Sequence, residues 1–278
     1  MTTLEVLNAA TSYLDKQGVE SPRLNAEYLL AHVLGKKKRI DLYLEFERPL
    51  GEKERSPLRE LVKRRSEGIP LQHLLGTAEF CGHTFTCDAR GLIPRPETEQ
   101  LVGLILKSSP DAASILDVGT GSGVIAISLA LALPAAKVSA CDLVPEALSL
   151  AQENAVRYQL SDRIAFLQSD LLAAVSETFA VIAANLPYIP TADISDLSRE
   201  VQKDPLTALD GGPDGLALVE RLIAEAKSRL APGGLLALEI GHDQAERVMA
   251  LLAANNYRDI TAHRDYQDIQ RFISARHG

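Results

Sequence analysis

The chain contains no tryptophan, only two methionines and only three cysteines in 278 residues. Cys81, Cys87 and Cys141 cannot all pair with one another, and they are few for such a length, so no disulfide framework is expected and a reducing cytoplasm is the expected setting. Long apolar stretches are missing as well. The longest, VIAISLALALPAA, falls short of the roughly 18 residues that a membrane span needs. The opening MTTLEVL has no basic segment ahead of an apolar one. No membrane partner is expected. An excess of positive charge is also absent: the formal net charge is -8, and residues 1–90 hold 14 Lys and Arg against 13 Asp and Glu, leaving 15 against 24 for residues 91–278. Affinity for nucleic acid comes largely from clustered cations neutralising phosphates, so no stable nucleic-acid partner is expected.

What the chain does have is a 46% apolar composition, ample for a folded core, and a length that suggests about two domains. Apolar residues at positions 4, 7, 10 and 14 predict a helix over residues 2–17, which Gly18 stops. Ser21-Pro22 reads as an N-cap followed by proline in the first helical position, opening a helix through Leu34. A third helix is expected from about Pro57 to Ser66, with Gly68-Ile69-Pro70 breaking it. Residues 1–75 therefore read as a small helical domain. Its basic runs, Lys36 to Arg39 and Lys63-Arg64-Arg65, read first as solvated surface. EFCGHTFTC follows as a hairpin; Cys81, His83 and Cys87 lack the fourth ligand and paired spacing of a metal site, and no metal is expected. Residues 76–94 are taken as the hairpin and a proline-rich linker. In LIPRPETE, Thr98 or the glutamates can cap the helix that follows, and Arg95 with its two acidic neighbours forms either that cap or part of a ligand pocket.

From residue 95 to 278 strands and helices alternate, the pattern of an α/β fold with a mostly parallel sheet. Its centre is ILDVGTGSGVIAI, residues 115–127, which reads as a buried strand, a tight glycine loop and a helix. Gly119, Gly121 and Gly123 let backbone bend sharply and a ligand approach the main chain, and the helix start offers free N–H groups. Asp142 ends the next apolar run, where a βαβ unit places an acid against ribose hydroxyls. Gly121, Gly123 and Ala126 also satisfy the dinucleotide pattern, which leaves a nicotinamide-dependent oxidoreductase as an alternative. Further on, a helix is expected over about 215–230, a turn at Pro232-Gly233-Gly234, and then the strand LLALEI.

At the end of the strand AVIAAN stands Asn185-Leu186-Pro187-Tyr188. The Asn185 side-chain carbonyl and the Leu186 backbone carbonyl provide two acceptors, Pro187 biases the residue before it toward extended backbone, and Tyr188 offers an aromatic face. Together they suit a planar NH2, whose two hydrogens they would hold while its nitrogen faces an electrophile.

The Asp117 strand end with its three alternate glycines resembles the loop of S-adenosylmethionine-dependent methyltransferases. More specifically GIPLQHLLGTAEF, LIPRPETE, ILDVGTGSG, ACD, QSD, Asn-Leu-Pro-Tyr and ALDGGPDGL together resemble the release factor glutamine methyltransferases, the HemK family, over nearly the whole chain. The resemblance implies a Rossmann-like class I methyltransferase domain with one antiparallel strand near the C-terminus, preceded by a helical bundle that recognises the protein substrate. It implies S-adenosyl-L-methionine held by Gly119, Thr120, Gly121, Ser122, Gly123, Asp142, Asp170, Leu171 and Asn185. Asn185, Leu186, Pro187 and Tyr188 would form the catalytic turn. The implied reaction methylates the side-chain amide nitrogen of the glutamine in the Gly-Gly-Gln motif of peptide chain release factors. A monomer is expected. Leu186 departs from the family's usual Asn-Pro-Pro-Tyr. Asn-Leu-Pro-Tyr also occurs in ribosomal RNA adenine dimethyltransferases, which makes RNA adenine methylation the alternative. If Leu186 is already extended with a free N–H, Leu186→Pro should preserve activity and add a little stability.

Overall fold

The computed structural model describes residues 1–36 and 38–278. Lys37, within the first basic run, lies outside the described residues. The chain divides into two compact units, Met1–Thr77 with Ser198–Lys203, and Ala78–Leu197 with Asp204–Gly278.

The first unit is helical: α1 (Thr3–Lys16), α2 (Pro22–Val33), α3 (Glu52–Ser66) and the short α4 (Leu71–Leu75). Leu7, Leu14, Leu29, Leu30, Leu42 and Leu58 form its core. Thr2 and Glu5 cap α1 reciprocally, the Glu5 N–H donating to Thr2 Oγ1 and the Thr2 N–H to the Glu5 carboxylate. Ser21 behaves differently from its sequence signature. It is left-handed (φ 48°) and makes no side-chain cap; the Asn25 amide instead donates to the carbonyls of Glu20 and Ser21. Helix α3 begins at Glu52, ahead of the expected start, and carries Pro57 inside it. The Glu54 carboxylate accepts the Gly51 N–H at 3.0 Å, and acidic residues in the first turn favour the positive end of the dipole, which offsets the one bond that proline cannot donate.

The second basic run is not all solvated. Arg65 is 3% exposed; its Nε donates to Asn25 Oδ1 at 2.7 Å, Nη1 to the Ile69 carbonyl at 3.3 Å, and Nη2 to Glu200. A buried guanidinium needs such partners. It thereby anchors the segment Ser198–Lys203, which returns to this unit from far along the chain. Arg39 likewise pairs with the buried Glu27, which also accepts from Arg23 and Tyr43.

Next in the chain is a hairpin of β1 (Thr77–Phe80) and β2 (His83–Thr86). Its two-residue turn has Cys81 at φ 49° and Gly82 at φ 73°, the left-handed pair that matches strand twist. Then come α5 (Pro96–Ser108), β3 (Ser114–Val118), α6 (Val124–Ala132), β4 (Lys137–Asp142), α7 (Pro145–Arg157), β5 (Ile164–Gln168), β6 (Phe179–Asn185), α8 (Ala217–Ala226), β7 (Leu230–Glu239), α9 (Ala245–Ala254), β8 (Tyr257–Arg264) and β9 (Gln270–His277). The seven-stranded sheet has the order β5-β4-β3-β6-β7-β9-β8. The first five strands run parallel, while β9 is antiparallel to both neighbours.

Each face of the sheet carries its own apolar cluster, one centred on Leu222, Leu236 and Ile273, the other on Ile105, Ile127 and Val181. Helix α6 is apolar all round because it is buried nearly all round. Two local expectations fail. Helix α8 stops at Ala226, and Pro232-Gly233-Gly234 is no separate turn but an irregularity inside β7, where pairing passes from Phe179–Leu230 to Val181–Leu235. Gly233, at φ 72°, absorbs that bulge. Strand order reverses between β3 and β6, so a crevice opens at their C-terminal ends, the location where open α/β sheets take ligands.

Candidate active site

A cavity occupies that crevice. Gly119, Thr120, Gly121 and Ser122 from the loop after β3, Asp142 at the end of β4, Asp170 and Leu171 after β5, and Asn185, Leu186 and Pro187 at the end of β6 all line it. The switch point thus brings together nearly every residue singled out in the sequence, and two of them stand apart. Gly123 is not among the lining residues. A Cβ there would come within 3.0 Å of Ala151 Cβ and 3.1 Å of Ile127 Cδ1, so this glycine serves the close approach of α6 and α7. Tyr188 is half-buried outside the lining, its backbone carbonyl accepting from Gln244 Nε2 at 2.9 Å. Burial and the nearby Glu239 push its phenol pKa up.

The glycine loop is bound into the sheet before any ligand arrives. The N–H groups of Gly119 and Thr120 both donate to the Cys141 carbonyl, at 2.9 and 3.0 Å, and the Gly121 N–H donates to Asp142 Oδ2 at 2.8 Å. These amides are therefore less free than a bare glycine pattern suggests. What the loop gives the cavity is shape: Gly119 and Gly121 have φ of 71° and 55°, a region that residues with a Cβ rarely adopt. Asp142 also accepts the Val144 N–H at 3.0 Å through Oδ1, which aims its carboxylate along the cavity edge. Asn154 on α7 ties the outer side, with its amide nitrogen donating to the carbonyls of Ser122 and Thr86.

Asp117 lies beneath the loop, fully buried. Its Oδ2 accepts from the Thr120 hydroxyl at 2.6 Å and the Ala126 N–H at 3.1 Å. Burial raises its pKa to about 6 against those two bonds.

A further wall comes from the segment before α5 and the first turn of that helix. Arg90, Gly91, Leu92, Pro94, Arg95 and Thr98 line the cavity, so LIPRPETE contributes to the pocket, and its expected capping role is unfilled: α5 has no side-chain cap. Arg95 Nη2 pairs with Asp204 Oδ2 at 2.7 Å. Thr98 is buried, and its Oγ1 accepts from Asn185 Nδ2 at 3.1 Å. Glu239, 2% exposed, pairs with Asn185 in the strand register. Sequence reasoning passed over Thr98 as a site residue and Glu239 altogether. A signal for the second was available, since it is the one charge in the otherwise apolar LLALEI.

The family model described as PrmC N-terminal domain matches residues 5–76, and the one described as Ribosomal protein L11 methyltransferase (PrmA) matches residues 98–207. The release factor glutamine methyltransferase of Geobacter sulfurreducens is 40% identical over 279 residues, covering 100% of this chain and 97% of that protein. Its counterpart from Deinococcus radiodurans is 41% identical over 278 residues, with 99% of each chain covered. Among solved structures, the hMettl16 catalytic domain in complex with the MAT2A 3′UTR hairpin 6 aligns with a TM-score of 0.60 at 15% identity, covering 79% of this chain and 82% of that one. That likeness is one of fold. On whole-length identity to such relatives, the chain belongs to the release factor glutamine methyltransferase family.

Proposed function

We infer that this chain transfers a methyl group from S-adenosyl-L-methionine to the side-chain amide nitrogen of the glutamine in the Gly-Gly-Gln motif of a peptide chain release factor. The observation that carries this reading is the convergence of the glycine loop, Asp142 and Asn185-Leu186-Pro187 on one cavity.

The residues present suit the cofactor. A Cβ at Gly119 would intrude on Leu186, and carboxylates at Asp142 and Asp170 stand on the cavity edge for hydroxyl and amine donors. Bound there, S-adenosylmethionine supplies a methyl on a positively charged sulfur. The chain's own task is to present a nitrogen whose lone pair is delocalised into its carbonyl. Asn185 Oδ1 and the Leu186 carbonyl accept the two hydrogens of the glutamine amide, favouring a pyramidal nitrogen directed at the methyl, and the departing proton leaves during or after transfer. Orientation and local electrostatics carry the rate more than a strong base does.

The helical unit is assigned to recognition of the protein substrate. Support comes from the PrmC N-terminal domain match over residues 5–76 and from apolar side chains left exposed on it, Ile40 at 59% and Leu44 at 87%. Its basic runs argue less, because Lys36, Arg39 and Arg65 are each paired to a glutamate. Deleting residues 1–75 would leave Glu200 without Arg65, so Ile40→Ser with Leu44→Ser is the cleaner probe. It should raise KM for release factor and leave cofactor affinity unchanged.

Mass spectrometry of release factor incubated with the protein and isotope-labelled S-adenosylmethionine tests the reaction. The expected result is one labelled methyl on the Gly-Gly-Gln peptide. S-adenosylhomocysteine binding without any methylated release factor would overturn it.

A further inference from the structure

Asn185 can serve an incoming NH2 only if its oxygen, and not its own NH2, faces the cavity. The two orientations of an amide differ by a half-turn and have nearly the same shape, so something behind Asn185 must choose between them. Behind it stand Thr98 on α5 and Glu239 at the end of β7, 3% and 2% exposed. Asn185 Nδ2 donates to Thr98 Oγ1 at 3.1 Å. Asn185 and Glu239 are register partners on adjacent parallel strands, which places their side chains on one face of the sheet. Glu239 Oε2 is buried with no hydrogen-bond partner among the described residues.

A hydroxyl alone cannot make the choice, because it can donate to an amide oxygen as readily as it accepts from an amide nitrogen. An ionised carboxylate only accepts. With Glu239 taking the Thr98 hydrogen, the threonine turns a lone pair toward Asn185, the amide nitrogen must point inward, and Oδ1 is left for the substrate. We propose that Thr98 and Glu239 are positioning residues that lock the Asn185 amide with its oxygen toward the cavity. The proposal rests on the methyltransferase reading above and deepens it at the same site.

The lock depends on the charge of Glu239. Burial pushes this carboxyl up to about 7, with Thr98, Arg271 and Asn185 holding it down and Glu97 pushing it further up. The groups facing it are thus Glu97 and Thr98 from α5, Asn185 from β6, Tyr188 beyond β6, and Arg271 from β9, whose guanidinium is shared with Asp265 at 3.3 Å. A protonated Glu239 can donate to Thr98, freeing the threonine hydrogen for Asn185 Oδ1 and turning the wrong face of the amide to the cavity.

The test uses the full chain with Thr98→Val, Thr98→Ser and Glu239→Gln, assayed for methyl transfer to release factor between pH 6 and 9. S-adenosylhomocysteine affinity is measured in parallel, and the Asn185 side-chain NH2 resonance, assigned by its loss in Asn185→Ala, is followed over the same range. Thr98→Val and Glu239→Gln should each lower kcat by about tenfold or more, as expected for a misdirected hydrogen-bonding group at a reacting centre. Cofactor affinity should hold, and Thr98→Ser should restore most of the rate. In the unmodified protein kcat should rise through the ionisation of Glu239, and the Asn185 resonance should shift with it; both responses should vanish in Glu239→Gln. Full kcat in Thr98→Val, or an Asn185 resonance indifferent to pH and to both substitutions, would overturn the lock. If the unmodified protein binds S-adenosylhomocysteine yet methylates no release factor, the functional reading fails, while the Asn185 resonance still decides the orientation.

Discussion

Leu186 Cδ2 lies 2.8 Å from the point where a Cβ on Gly119 would stand. The residue that replaces the family's usual proline therefore occupies space that only a glycine leaves open, and the cofactor loop and the substrate turn are shaped against each other. Gly119 also has φ 71°, so Gly119→Ala meets both a clash and backbone strain. We expect a loss of about 1–3 kcal/mol in stability and weaker S-adenosylhomocysteine binding. Adding Leu186→Ala should recover the part due to the clash, leaving the part due to φ. Thermal melts and titration calorimetry on the two single variants and the double would separate them.

Leu186→Pro should lower stability. Sequence reasoning favoured a small gain from a stiffer unfolded chain, but Leu186 is 4% exposed and belongs to the apolar cluster on one face of the sheet. Removing such a side chain costs roughly 1–3 kcal/mol in lost burial, which outweighs the gain of about 0.4–1 kcal/mol available to a compatible proline. Denaturant titration reads the sign directly.

Asn185→Ala should slow methyl transfer by on the order of 100- to 1000-fold, the size seen when one oriented hydrogen-bonding group is lost at a reacting centre. S-adenosylhomocysteine affinity should fall far less. Comparable losses in both would mean that Asn185 acts mainly on the cofactor.

Glu239 makes a prediction about stability as a function of pH. Its folded-state pKa, about 7, stands above the ordinary carboxylate value, so its contribution is fully present below the unfolded pKa and is lost as pH rises through the folded one. Glu239→Gln removes that loss. Relative to the unmodified protein, the variant should gain up to about 3 kcal/mol between pH 4.5 and pH 8, because a tenfold change in a protonation equilibrium is worth about 1.4 kcal/mol. Melting curves across that range check it. A gain in stability at pH 8 together with a loss of kcat would mark a charge kept for its function.

Arg65→Ala should cost about 1–3 kcal/mol, the range for leaving a buried hydrogen-bonding group such as the Asn25 oxygen without its partner, since Glu200 is 39% exposed and can be hydrated. It strands Asn25 Oδ1, the Ile69 carbonyl and Glu200 together. Because Glu200 lies in the segment 198–203, the variant should also be cut there by protease much faster than the unmodified protein.

The features that were legible in the sequence are those whose cause is local. Glycine spacing at 119 and 121, the acid at Asp142 and the turn at Asn185 each declare themselves within a few residues, and alternating strands and helices declare the sheet. The features that were not legible depend on partners from elsewhere. Thr98 looked like a cap because it sits at a helix start, yet its partner is 87 positions away. Arg65 looked solvated within a basic run, and Asn25, the Ile69 carbonyl and the returning Glu200 make its burial tolerable. Pro57 looked like a helix start, but the capping carboxylate of Glu54 allowed an earlier one.

The placement of β9 between β7 and β8 also has a kinetic side. β7 cannot finish its ladder until a strand from beyond α9 and β8 has docked beside it, with Phe272 opposite Glu239. The β8–β9 pair can form by itself as a hairpin, so its docking is a late, non-local event of the slow kind. Until then Glu239 remains in water with ordinary acidity. The work of desolvating its charge falls on that one step, so refolding should be slower at pH 8 than at pH 6, and Glu239→Gln should make the two rates alike.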